Sequence, residues 1–170
     1  MDSDGYLSQL ADIFNGITVN TPSISAIIAI ALAGVLLLAS GFASASEIAF
    51  FSLSPSDRND IDERNHPSDD KISALLGDTE RLLATILITN NFVNVTIIML
   101  CNFFFMNVFV FHSPLAEFLI LTVILTFLLL LFGEIMPKIY SAQKTLAFCR
   151  FSAPGIYFLE KVFRPIATVL

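Results

Sequence analysis

Residues 82–111, LLATILITNNFVNVTIIMLCNFFFMNVFVF, form a stretch of the chain without one charged side chain. A helix crosses a hydrocarbon core about 30 Å thick when roughly 20 consecutive residues are mostly apolar. A surface helix of a soluble protein keeps a charged or polar face toward water, and this stretch has no charged residue with which to build one. The stretch therefore predicts a transmembrane helix rather than a buried helix of a soluble bundle.

Two further apolar blocks flank this stretch. Residues 24–53 contain Glu47 as their only charge, and residues 115–133 contain only Glu117, near their start. The whole chain is 55% hydrophobic and 14% charged, against about 45–50% and 25% in soluble proteins. We therefore predict an all-α membrane protein with three transmembrane helices. The chain has no basic, aromatic-rich patch of the kind that binds nucleic acid.

The basic residues indicate how the helices are oriented. None lies in residues 1–23 or in the short turn at 112–114. Four lie between the first and second blocks and five follow the third; they are Arg58, Arg64, Lys71 and Arg81, then Lys138, Lys144, Arg150, Lys161 and Arg164. Lys and Arg accumulate on the cytoplasmic side of membrane proteins. The N-terminus and the 112–114 turn are thus predicted outside, and residues 54–81 and the C-terminal segment inside.

This orientation divides the chain into three regions. They are an extracytoplasmic segment at 1–23, a transmembrane core at 24–137 that includes a cytoplasmic helical loop at 54–81, and cytoplasmic juxtamembrane helices at 138–170. In the loop, Ser54-Pro55-Ser56-Asp57 predicts one helix start, and Ser68 or Asp69 predicts another. The amphipathic 138–170 segment is expected along the membrane surface or against a following soluble domain that this chain lacks.

Polar residues inside the apolar blocks are costly unless they are paired or bind something, so they suggest function. The first block contains Ser40-Gly41-Phe42-Ala43-Ser44-Ala45-Ser46-Glu47. A helix over the whole block would be longer than the membrane is thick, so it either tilts or breaks near these small residues. A break would expose backbone carbonyls to a cavity. The alternative is close helix packing through the small residues.

The other two blocks carry the amide and carboxylate side chains. In Thr89-Asn90-Asn91-Phe92-Val93-Asn94, the spacing of Asn90 and Asn94 puts them on one helix face. In Phe132-Gly133-Glu134-Ile135-Met136-Pro137-Lys138, Pro137 has no N–H and breaks the preceding turn, which leaves carbonyls near Gly133 available. The alternatives are interhelical hydrogen bonds for the asparagines and an ion pair with Lys138 for Glu134.

The predicted topology brings these groups toward one region. Ser44 and Asn90 each lie about 12–13 Å from the inner end of their helix, and Glu134 ends the third helix on the same side. Hydroxyl, amide and carboxylate oxygens without Cys or His suit Mg²⁺, Ca²⁺ or Na⁺. The sequence therefore predicts a cation site that opens toward the inside.

These polar motifs, in this order, resemble the transmembrane domain of the CNNM/CorC family of magnesium transporters. The resemblance covers about residues 24–165, and the short acidic start is similar to a gliding-motility-associated bacterial branch. It implies a multi-pass protein of the bacterial inner membrane, a homodimer within the lipid bilayer, and cytoplasmic CBS-type domains that this chain does not contain.

The resemblance also implies which residues hold a largely dehydrated Mg²⁺. Ser44, Asn90, Asn94 and Glu134 match ligand positions, with Asn91 as an alternative to Asn90 and a backbone carbonyl near Ser44 or Gly133 as a further ligand. Ser46 and Glu47 match the ion pathway, and Pro137 the helix break. The implied activity is Mg²⁺ export in exchange for Na⁺.

The sequence therefore leaves two hypotheses for the function. The first is Mg²⁺ transport by alternating access, coupled to Na⁺. The second is a membrane scaffold or sensor of a motility or secretion machine, whose bound cation stabilises the dimer without crossing. An enzyme is not expected, because the blocks contain no nucleophile–base pair and no zinc-ligand spacing.

Overall fold

The computed structural model describes Gly5, Ser8 and residues 17–111 and 113–167. In chain order its elements are β1 (Thr18–Val19), α1 (Ile24–Phe51), α2 (Pro55–Asp62), α3 (Asp69–Leu76), α4 (Thr79–Val108), β2 (Phe109–Val110), α5 (Pro114–Leu128), a π-helical segment (Leu129–Ile135), α6 (Met136–Gln143) and α7 (Thr145–Ala167).

Three helical spans are long and apolar enough to cross a membrane. They are α1, α4 and the continuous run Glu117–Gln143, which passes through α5, the π segment and α6. The predicted all-α class with three membrane-spanning helices is confirmed. At 1.5 Å per residue α1 is about 42 Å long, and it runs without a break, so the alternative of a broken first helix is wrong.

Helix α1 packs through its small residues instead. Its buried positions are almost all small: Ala26, Ala29, Ala33, Ser40, Gly41, Ala43, Ser44, Ala45, Ser46 and Ala49. Its large side chains, such as Ile28, Val35 and Leu38, are exposed on the outer face of the bundle. Small residues let helix backbones approach closely where lipid leaves no hydrophobic force between helices. This close packing is the alternative that the sequence offered for this block.

The third helix continues past Pro137 to Gln143. The disturbance that Pro137 causes is the π segment just before it, where the Met136 N–H donates to the carbonyl of Leu131, five residues earlier. Pro137 has no N–H for Phe132 or Gly133 in the turn before it, and a wider turn accommodates its ring. The predicted break is therefore a change of helical pitch rather than an end.

Two short helices, α2 and α3, and the longer α7 cover one end of the bundle, at the C-terminus of α1 and the N-terminus of α4. We call this end the basic end. Helix α2 starts at a capping box in which Asp57 N–H donates to Ser54 Oγ (3.1 Å) and Ser54 N–H donates to Asp57 Oδ2 (3.0 Å). Helix α3 starts at Asp69, directly after Ser68. Both predicted helix starts are confirmed.

An apolar core holds the basic end together. Phe50 of α1 and Ile86 of α4 pack there with the buried face of α7, whose members are Cys149, Ala153 and Ile156. The opposite face of α7 exposes Phe151, Phe158 and Val162. Helix α7 is thus amphipathic, as predicted, and it packs on this domain itself.

A buried ion pair joins α3 to α7 within that core. Arg150 donates to Asp69 through Nε (2.9 Å to Oδ1) and Nη2 (3.1 Å to Oδ2), and the His66 N–H donates to the same carboxylate (3.0 Å). Burial alone would raise the pKa of Asp69, but the hydrogen bonds from Arg150 and His66 outweigh it and hold that pKa below its usual range. The pair therefore remains charged at neutral pH.

A two-residue antiparallel ladder closes the other end. Thr18 pairs with Val110 and Val19 with Phe109, and the Asn20 N–H donates to the carbonyl of Val108 at 2.7 Å. The sequence analysis predicted no strand here, because two-residue strands are too short to show an alternating pattern.

We expect Asp69→Ala to lower the free energy of unfolding by about 3 kcal/mol, because it leaves the Arg150 guanidinium largely buried without its partner. The matched control is Asp70→Ala in the same turn of α3. Asp70 pairs with Arg64 at 3.3 Å, but both side chains are 72% exposed, so the loss should stay below about 1 kcal/mol. Unfolding of both variants in detergent measures the difference, and equal losses would contradict the assignment.

Candidate ion site between the transmembrane helices

Three side-chain oxygens meet where α1 crosses α4. The Oγ of Ser40 lies 2.8 Å from Oδ1 of Asn90 and 2.7 Å from Oδ1 of Asn94. Ser40 is fully buried, and a serine hydroxyl has one hydrogen to donate. In this orientation of the two amides, one hydrogen therefore serves two acceptors, and three oxygens converge on one point between the helices.

The backbone of the third helix reaches the same point. A Cβ placed on Gly133 would lie 3.2 Å from Ser40 Oγ and 3.4 Å from Leu37 Cδ1. Any residue larger than glycine would press on the hydroxyl, so glycine permits the approach of the π segment. We call Ser40, Asn90, Asn94 and Gly133 the polar cluster; it joins α1, α4 and the π segment.

Ser44 lies one turn beyond Ser40 on α1. It is fully buried, and its Oγ has no hydrogen-bond partner; on α4, Thr85 Oγ1 shares this property. Within the described part of the chain these are the two buried side-chain polar atoms left unpaired. An unpaired buried hydroxyl costs about 1–3 kcal/mol, so these two hydroxyls are available to a ligand.

Ser40 is the residue that sequence reasoning missed. The predicted ligand Ser44 is buried nearby, but the hydroxyl that contacts both asparagines is the one four residues earlier. The available signal was the spacing itself, since Ser40 and Ser44 share one face of α1.

Glu134 directly follows Gly133 of the polar cluster in the chain and is held by an ion pair. Lys138 Nζ lies 3.2 Å from Glu134 Oε1 and 3.1 Å from Glu47 Oε2, so one ammonium joins two carboxylates of different helices. This is the ion pair that the sequence offered as the alternative for Glu134. We call Glu134, Lys138 and Glu47 the trio; two carboxylates and one ammonium give it a formal charge of −1. Among the described residues no hydrogen bond links Glu134 to the polar cluster.

The remaining predicted residues lie apart from the cluster. Asn91 is exposed on the outer surface of α4, so the structure brings Asn90 rather than Asn91 to Ser40. The Ser46 hydroxyl donates to the carbonyl of Phe42 within α1 at 2.7 Å. Pro137 packs against Gly41, where a Cβ would lie 2.9 Å from its Cγ.

The chemistry of the cluster is that of neutral oxygen ligands with carboxylates nearby. The described residues contain no group of three or more His, Cys, Asp or Glu side chains that could hold a metal ion. Sites for zinc or copper use such nitrogen and sulfur ligands, whereas Mg²⁺, Ca²⁺ and Na⁺ accept hydroxyl, amide and carbonyl oxygens.

Comparison with known families matches residues 30–170 to the family described as CNNM, the cyclin M transmembrane N-terminal domain. The chain belongs to this family. The resemblance drawn from the three polar motifs is therefore confirmed, and all residues of the polar cluster fall within the matched range.

Two curated relatives of the CNNM domain are both UPF0053 proteins. One, from Haemophilus influenzae, is 29% identical over 136 residues, which are 80% of this chain and 31% of the relative. The other, from Synechocystis sp., is 26% identical over 136 residues, 80% of this chain and 38% of the relative. The chain thus spans about a third of the length of these relatives.

Gly41→Ala should destabilise the protein by about 1–3 kcal/mol, because the new Cβ would meet Pro137 Cγ at 2.9 Å and the Phe132 carbonyl at 3.3 Å. Gly34→Ala in the same helix is the control: a Cβ there meets nothing within 4 Å, and the better helix former should raise stability by a few tenths of a kcal/mol. Thermal unfolding in detergent compares the two. A neutral Gly41→Ala would show that α1 and the π segment are not in close contact.

Proposed function

We propose that this domain binds Mg²⁺ at the polar cluster and carries it across the membrane in exchange for Na⁺. The observation that carries the proposal is the contact of Ser40 Oγ with both amide oxygens, at 2.8 and 2.7 Å, with one hydrogen among the three atoms. A cation resolves this shortage of donors, since it attracts the lone pairs of all three oxygens at once. Membership of the CNNM family supports the choice of ion.

The cluster then has two arrangements. With a cation bound, both amide oxygens turn toward it. Without one, Asn90 or Asn94 can rotate its amide so that the NH₂ donates to Ser40 Oγ, which satisfies the hydroxyl. Neutral ligands of this kind bind a divalent ion less strongly than a cage of carboxylates does, and a transported ion must also leave.

Glu134 supplies the charge in this proposal. Its carboxylate changes partner from Lys138 to the ion, while Lys138 stays with Glu47 at 3.1 Å. The ammonium therefore never loses both carboxylates, which would be costly inside the membrane. The trio thus acts as a store of negative charge that turns toward the cluster when the ion arrives.

The π segment suits the conformational step. Turns of this kind occur often at functional sites, and transporters bind ions where membrane helices are interrupted. Because Pro137 donates no hydrogen bond to Phe132 or Gly133, these carbonyls are candidates to complete the shell of the ion. Alternating access would shift the π segment against α1 at Gly41 and Gly133.

Binding predicts that Mg²⁺ stabilises the folded domain. At a Mg²⁺ concentration one hundred times the Kd, the free energy of unfolding should rise by about 2.7 kcal/mol. Asn90→Ala should remove this gain because it deletes one of the converging oxygens. Asn91→Ala, the adjacent exposed amide on α4, should keep it. Thermal unfolding with Mg²⁺, Ca²⁺ and Na⁺ measures the effect. If both variants lose the Mg²⁺ stabilisation equally, the polar cluster is not the binding site.

If the domain transports Mg²⁺, vesicles that contain the purified chain and a Mg²⁺-sensitive dye should show Mg²⁺ flux across their membrane. An opposing Na⁺ gradient should speed it, and Asn94→Ala or Glu134→Ala should lower it by about tenfold or more, as expected for groups that support a bound metal. Mg²⁺ stabilisation without any flux would instead support the scaffold or sensor function, because the ion would then bind without crossing.

A further inference from the structure

An apolar groove opens on the outer face of the bundle, away from α4. It has a volume of about 420 Å³ and is enclosed by α1, the third helix and α7. Leu38 and Phe42 form one wall, Phe132 and Pro137 the second, and Phe151 the third. Leu38 is 77% and Phe151 71% exposed, so the groove opens sideways, toward the surroundings of the bundle.

The depth of the groove matches the acyl chains of one leaflet. On α1 its lining runs from Leu37 to Ala45, which lie about 21 Å and 9 Å from the end of the helix at Phe51. With the helix of about 42 Å centred in a hydrocarbon core about 30 Å thick, the half of the core next to the basic end extends from about 6 to about 21 Å from Phe51 and covers this range. The groove therefore follows the direction of a lipid chain in the leaflet next to the basic end.

A second recess continues the groove toward the basic end. It shares Tyr140, Phe148 and Phe151 with the groove and adds Lys144, which directly follows α6. Lys144 is exposed and forms no ion pair with any described residue. Lys138, by contrast, pairs with Glu47 and Glu134, and Arg150 pairs with Asp69. A lysine ammonium without a counter-ion thus lies at the open end of the apolar groove.

We propose that this groove is a binding site for an anionic phospholipid, with one acyl chain along α1 and the headgroup phosphate at Lys144. Chain and headgroup are matched by adjacent surfaces, apolar within the leaflet and cationic at its edge. An unpaired lysine near a membrane surface favours anionic over zwitterionic lipid. A second copy of the chain is the other possible occupant, and the test below separates it from lipid. This proposal does not depend on the one for Mg²⁺.

The chain contains no tryptophan, so one introduced tryptophan reports its own surroundings. Phe151→Trp places the reporter in the groove. Phe158→Trp is the matched control: it lies on the same helix and is similarly exposed, at 65%, but it does not line the groove. Each variant is reconstituted in vesicles of phosphatidylcholine and phosphatidylglycerol in which one or the other lipid carries brominated acyl chains that quench tryptophan.

Brominated phosphatidylglycerol should quench Phe151→Trp more strongly than brominated phosphatidylcholine at equal mole fraction. Adding Lys144→Ala should lower this preference about fivefold, the effect of one lysine charge near a membrane surface. Lys71→Ala, which removes an exposed cation of α3 away from the groove, should leave it unchanged. In the Phe158→Trp background, Lys144→Ala should also change nothing.

Two results would overturn the proposal. Equal quenching of Phe151→Trp by both lipids would make the groove an ordinary lipid-facing wall. A Phe151→Trp reporter shielded from both brominated lipids, in a chain that sediments as a dimer, would assign the groove to a second copy.

Discussion

The close approach of α1 to two neighbours at once is the constraint on which the rest of the structure depends. At Ser40 and Gly41, helix α1 meets the asparagines of α4 on one side and the π segment on the other. Only small side chains leave room for both contacts. Moving either helix outward would separate the polar cluster, so packing and the candidate site are two results of one geometry.

Hydropathy predicted the three spans because membrane thickness fixes helix length and lipid requires internal backbone hydrogen bonds. The spacing of Asn90 and Asn94 likewise fixed their common face. The sequence did not indicate which face of α1 turns toward α4. Serines in membrane helices also bond to their own backbone, as Ser46 does to Phe42, so composition could not tell which serine faces α4.

The π segment lay equally beyond sequence reasoning. Pro137 signalled that hydrogen bonds would be missing, yet whether a helix ends, kinks or widens depends on its neighbours. Here Gly41 and Gly133 let α1 support a widened turn from the side, and the helix therefore continues. The ion pair of Glu134 with Lys138 was visible as an i, i+4 spacing, but its second carboxylate, Glu47, comes from a helix far away in the chain.

The two-residue ladder at the end opposite α7 has a mechanical consequence. Together with the bond from Ser23 N–H to Asn107 Oδ1 at 3.1 Å, it clamps the start of α1 to the end of α4. Relative motion of these helices then becomes a swing about a fixed pivot. Over a lever of about 42 Å, a tilt of about 5° displaces the far end by about 4 Å. The fold thus concentrates any opening at the basic end.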